Sequence, residues 1–106
     1  MIRATLFYNK NNDVYRFKVR YHGAPVVCAG VSALVITCVN YIQTNFQLDC
    51  TLQIEDMEFI DFEVSELKSG QTIKDASLII DNMVFGLRLI EESYGDDIQI
   101  EEKTKN

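Results

Sequence analysis

The chain contains one histidine, His22, and one proline, Pro25, among 106 residues. One histidine cannot supply a multi-imidazole metal site, and the three cysteines, Cys28, Cys38 and Cys50, follow no zinc spacing. The five glycines are scattered, so no glycine-rich phosphate loop is present, and neither a GxSxG elbow nor an EF-hand spacing occurs. These patterns point to no metal and no cofactor. No stretch reads as a transmembrane helix by length and polarity. The first residues, MIRATLFYNK, lack the short basic region and long apolar run of a signal peptide. The expectation is a cytoplasmic protein without membrane contact, whose odd number of cysteines stay free thiols in a reducing compartment.

What is there suits one soluble domain spanning 1–106: hydrophobic residues make up 47% and charged residues 25%. The net charge of −6 is uneven. Residues 1–28 hold Arg3, Lys10, Arg16, Lys18 and Arg20 against Asp13 alone, a local +4, and the rest of the chain carries −10. Phosphate repels a chain of this sign, so direct nucleic-acid binding is not expected.

Residues 2–8 and 14–21 read as two strands around NKNND. In the second, Tyr15, Phe17, Val19 and Tyr21 alternate with Arg16, Lys18 and Arg20, a period of two with apolar groups on one face and cations on the other. Those cations suit either a solvated sheet face or a docking edge for an anionic partner. From Val26 to about Thr44 the chain is apolar nearly all round, with helix expected from about Cys28. Such a helix is usually buried on both sides, between a sheet and another element or a second subunit. Residues 49–55 and 58–65 form a second hairpin pattern, broken by SGQT at 69–72. Thr72, with Asp75 in the first turn, reads as an N-cap. Ile73, Ala76, Ile80, Met83, Leu87, Ile90 and Tyr94 then recur every three or four residues, one apolar stripe of a long helix that Gly95 ends. Ile98 and Ile100 mark a last short strand, and the tail EKTKN reads as frayed. The order β-β-α-β-β-α-β predicts an α+β two-layer sandwich, a mainly antiparallel sheet with two helices on one face. Any exposed remainder of the first helix favours a homodimer.

The chemistry gathers in YHGAPVVCAGVSAL, residues 21–34. Cys28 falls where a loop becomes a helix, and the partial positive charge there favours a thiolate. If the intervening turn folds back, His22 reaches the sulfur, accepts its proton and returns it to a leaving amine. Backbone N–H groups of Cys28 and Ala29 are candidate oxyanion donors. Spacing alone leaves open the alternative that both residues simply belong to a small core. Cys38 lies inside the apolar helix and Cys50 opens a strand, both positions of core packing.

These residues resemble the ribosomal-processing cysteine proteases called Prp, over nearly the whole chain. CAGVSAL at 28–34 is similar to that family's nucleophile segment, and FGLRLIEESYGDDIQIEE at 85–102 to its C-terminal helix and strand. The resemblance implies a small cytoplasmic α+β homodimer. Its implied partner is the N-terminal extension of a large-subunit ribosomal protein, removed during ribosome maturation. It implies Cys28 as nucleophile, His22 as its partner and Ser32, one helical turn on, as a supporting hydrogen-bonding residue.

Three departures stand beside it. Tyr21 precedes the histidine where the family has glycine. Pro25-Val26-Val27 precedes the cysteine where the family has Asp-Ile-Val. The loop GAPVV is shorter than the family's substrate-covering loop, although five residues still reach roughly 18 Å when extended. Three readings result: a cysteine endopeptidase, a catalytically impaired homologue that binds peptide as a dimeric module, or a small dimeric protein with no peptide partner.

Overall fold

The alternation along the first two strands decides which face of the sheet is covered. In the computed structural model, which describes residues 1–56 and 58–104, β1 (Ile2–Tyr8) and β2 (Val14–Arg20) pair antiparallel around the 9–13 turn. Ile2, Ala4, Leu6, Phe17 and Val19 are buried on one side, while Arg3, Arg16, Lys18 and Arg20 lie on the other. Asn9 pins the turn: its side-chain carbonyl accepts the amides of Asn11 and Asp13, and its amide donates to the Leu67 carbonyl at 2.7 Å.

The remaining elements are α1 (Pro25–Asn45), β3 (Cys50–Glu55), β4 (Phe59–Val64), α2 (Ser65–Lys68), α3 (Lys74–Ser93) and β5 (Ile98–Thr104). The five strands lie in the order β3-β4-β2-β1-β5. All pairs are antiparallel except β1 with β5, so the sheet is mixed and the fold α+β. Helices α1 and α3 pack on each other and on the covered sheet face, closing a core of Ile2, Leu6, Phe17, Phe62, Val31, Val35, Ile80 and Leu87. That burial supplies the bulk of the stabilising free energy.

Five sequence expectations need correction. Helix α1 starts at Pro25, three residues before Cys28, because proline's fixed φ suits the first helical position. It buries one stripe, Val27, Val31, Val35, Cys38, Val39 and Ile42, and exposes Val26 and Tyr41, so of the two coverings expected for its far side, that by another element of the same chain is not found among the described residues. With no charged residue in 21, it is long and apolar enough by length and composition to cross a membrane, contrary to the expectation of no such segment. Helix α3 begins at Lys74 with Ile73 at the cap position and no side-chain cap, so Thr72 does not cap it. The final strand runs on to Thr104, paired with Tyr8, where the sequence suggested a frayed tail; residues 105 and 106 lie outside the described residues. The one-turn helix α2 had no counterpart in the sequence pattern.

Candidate active site

The loop from β2 to α1, residues 21–24, is held at both ends. The Tyr21 amide donates to the Glu58 carbonyl at 2.8 Å, and Ala24 stands at the N-cap of α1. Between them Gly23 packs so closely on the sheet edge that an added Cβ would lie 2.9 Å from Cγ1 of the fully buried Ile2 and 3.4 Å from the Asp97 carbonyl. Only glycine lets the chain turn here without displacing the core.

Cys28 follows in the first turn of α1, half-buried, with its thiol donating to the Gly23 carbonyl at 3.5 Å. The first turn carries no acidic residue, so the positive end of the helix is not offset by a neighbouring carboxylate. The other two thiols are worse placed for ionisation. Burial pushes Cys38 up to about 12, and Cys50 is raised by burial and then by the charges of Glu66 and Asp49.

Ser32 lies four residues after Cys28 on the same helix face, also half-buried. Tyr21 completes the group from the loop. Its phenol is raised first by burial, drawn partly back by the Ser32 hydroxyl, and pushed up again by charge on Cys28. Among the described residues its buried hydroxyl meets no partner in hydrogen-bond geometry, so Ser32 is a neighbour at longer range. The structure therefore brings Cys28, Ser32 and Tyr21 together. His22 is exposed in the same loop, and among the described residues no hydrogen bond joins it to Cys28. Catalytic hydrogen bonds are often long in an unliganded enzyme and tighten with substrate, so this geometry leaves the imidazole available as a base.

The expected oxyanion donors are not free. The Cys28 amide donates to the Ala24 carbonyl at 2.9 Å, and Ala29, one residue further in, is committed to the helical ladder. Because α1 starts early, the unpaired first-turn amides are those of Val26 and Val27; Pro25 has none. Sequence reading also passed over Tyr21 as a site residue. The usable signal was the period of two in β2, which carries Tyr21 to the same covered face as Phe17 and Val19, under the start of α1.

The family model described as cysteine protease Prp matches residues 1–99. The ribosomal processing cysteine protease Prp of Bacillus subtilis (strain 168) is 30% identical over 107 residues, covering 94% of this chain and 96% of that one. The essential ribosomal processing protease Prp from S. aureus, solved with a covalently linked product peptide, superposes at a TM-score of 0.86 with 25% identity, over 97% of this chain and 100% of that one. The same protease with a substrate peptide gives 0.84 at 24% identity over the same shares, a likeness of fold. Matched along nearly its whole length, the chain belongs to the cysteine protease Prp family.

Proposed function

We propose that this chain, a cysteine endopeptidase by its family, uses Cys28 to cut the N-terminal extension of a large-subunit ribosomal protein during ribosome maturation. The observation that carries the assignment of Cys28 is the contrast among the three thiols. Cys28 alone sits at a helix start in a half-open loop junction, while burial disfavours ionisation of Cys38 and Cys50. In the reaction His22 takes the thiol proton and Sγ attacks the scissile carbonyl carbon. The amides of Val26 and Val27 face the developing oxyanion. Collapse expels the amine, which receives the proton from His22, and water then cleaves the thioester. A peptide substrate fits the relative solved with a covalently linked product peptide.

A cytoplasmic setting suits three free thiols. The acidic balance disfavours direct contact with nucleic acid, and no metal or cofactor has a role in these steps. A homodimer is supported by the apolar side chains left exposed on the two long helices, Tyr41, Leu78, Phe85 and Leu89, and by a cavity of about 300 Å³ between those helices, lined by Leu34, Cys38, Tyr41 and Met83. Its test is sedimentation equilibrium, where a monomer at tens of micromolar would reject it.

One observation favours the second reading, a peptide-binding module without turnover: His22 is exposed and not bonded to Cys28. Incubating the protein with a peptide spanning the precursor's extension, with mass spectrometry of the products, separates the two. Cleavage lost in both Cys28→Ala and His22→Ala supports the protease. Binding without cleavage by the unmodified chain supports the module.

A further inference from the structure

The sheet has two edges, and they are guarded differently. β5 carries Glu101, Glu102 and Lys103, with Arg3 and Arg88 paired to the two carboxylates. Charges of this kind keep an edge from pairing with another chain. β3, at the other edge, reads CTLQIE, without lysine or proline. Its pairing with β4 runs from Cys50–Val64 to Glu55–Phe59 with no register shift, so no bulge turns it away. Among the described residues, no other segment bonds to the main chain of 50–54 on its outer side. Thr51 and Gln53 point to the open face, beside Arg16 and Asp61. Leu52 and Ile54 point to the helix face, next to the buried Phe62 and Ile60, yet Ile54 stays 52% exposed.

This edge and the Cys28 corner belong together. Glu55 pairs with Phe59, Phe59 with Arg20, and the Tyr21 amide reaches the Glu58 carbonyl. The Ile54 end of β3 therefore lies at the end of the sheet where the 21–24 loop leaves it. On α1, Gly30 and Leu34 lie against Ile90 and Gly86 of α3. Cys28 and Ser32, each two residues earlier and so roughly 200° round the helix, occupy the opposite flank. Helix α3 packs on β5 and β2, which turns that flank toward the β3 side of the sheet.

We infer that the free edge of β3 is the docking strand for the peptide substrate. An extended segment pairs along it as a sixth strand, sets an apolar side chain against Ile54 and Leu52, and runs on to Cys28. This deepens the proteolytic reading and rests on its peptide partner. The six residues of β3 span roughly 20 Å, room for about as many peptide residues. Main-chain bonds then supply affinity, and alternate side chains supply specificity. The edge favours a positively charged peptide. Between Arg20 and Lys68 the chain has no lysine or arginine, and the exposed Asp49, Glu55, Asp56 and Glu58 stand about the two ends of β3.

The test uses a peptide spanning the precursor's extension, with cleavage measured on the parent and binding on Cys28→Ala protein. Ile54→Lys guards the edge with a cation and removes the apolar contact. KM and Kd should rise about tenfold with kcat kept, and Ile54→Val should stay near the parent. Gln99→Lys, on the opposite edge, should change neither. Methylating the peptide's backbone nitrogens one at a time should weaken binding about fivefold at every second position, because only alternate amides face β3. Ile54→Lys with the parent's KM and Kd, or losses without that alternation, overturns the inference, while cleavage by the parent keeps the proteolytic reading. Binding with the alternation but without cleavage keeps the docking strand and rejects the protease. A parent that neither binds nor cuts the peptide overturns both. If Ile54→Lys melts several degrees lower than the parent, the methylated peptides decide, because they leave the protein untouched.

Discussion

Two regions of this molecule carry the ionisable residues that stand out in its sequence, and they treat their polar groups in opposite ways. On the open face of the sheet the groups are paired off. Arg16 holds Asp61 through two hydrogen bonds of 2.9 and 2.7 Å and lies 4.5 Å over the ring of Phe7, and Arg20 stacks 4.7 Å over Phe59. At the corner between β2 and α1 the groups are left open. Among the described residues His22 makes no side-chain hydrogen bond, the buried Tyr21 hydroxyl meets no partner in hydrogen-bond geometry, and Cys28 makes a long contact to a carbonyl. A face whose charges satisfy one another gains little from a partner. A corner with unspent donors and acceptors gains from a substrate that engages them, which is the arrangement an acyl-transfer site needs.

The largest expected effect separates the two regions outright. Cys28→Ala should lower kcat for the precursor peptide by at least about 10³-fold, the scale of removing a covalent nucleophile, with the fold kept. An activity within tenfold of the parent would move the chemistry away from the corner. The next effect concerns a thiol that belongs to neither region. Cys38 is buried in the middle of α1 and lifted to about 12. Unfolded, it titrates near 8.5. Between those values the unfolded chain gives up a proton that the folded chain keeps, so rising pH favours unfolding. The contribution is constant below about pH 8, then stability falls by about 1.4 kcal/mol per pH unit, up to roughly 5 kcal/mol in all. Urea midpoints at pH 8 and pH 10.5 should therefore diverge more in the parent than in Cys38→Val. Equal shifts in the two proteins would show that Cys38 ionises freely in the fold.

How much of this was readable in the sequence follows from the range of the forces involved. The strands of both hairpins and the stripe of α3 were legible because their periods of two and about 3.6 record which face is buried. The early start of α1 was not, because Ala24, Val26 and Val27 carry no capping side chain and Pro25 alone marks it. Helix α2 is a single turn placed by tertiary contacts, the burial of Leu67 and the bond from Asn9. The parallel pairing of β1 with β5 joins residues nearly a hundred positions apart, for which no local pattern exists. At the corner, Cys28, His22 and Ser32 could be named from residue type and resemblance. The occupied amide of Cys28 and the unpaired hydroxyl of Tyr21 depend on where α1 begins and how the loop packs, which only coordinates supply.

The corner's geometry can be strained without touching its chemistry. In Gly23→Ala the new methyl must displace Ile2, which is fully buried, or move the loop carrying the carbonyl that faces Cys28. The expected cost is about 1–3 kcal/mol of stability, as for other overpacked sites, with kcat falling more than KM changes. Unchanged stability and turnover would mean the loop yields easily and that its close packing does not hold the site.

The smallest effect tests the other half of the contrast. Arg16→Gln removes a bidentate partner from Asp61, a carboxylate whose side chain is only 16% exposed, and lifts the cation from Phe7. Because the pair lies at the edge of solvent, the cost should stay near about 1 kcal/mol, and it should shrink in high salt. Turnover of the precursor peptide should not change, since the sheet stands between this pair and the helix face that carries Cys28. A clear rise in KM would instead make the open face part of the path along which the peptide lies, and the self-paired cations would then be a docking surface after all.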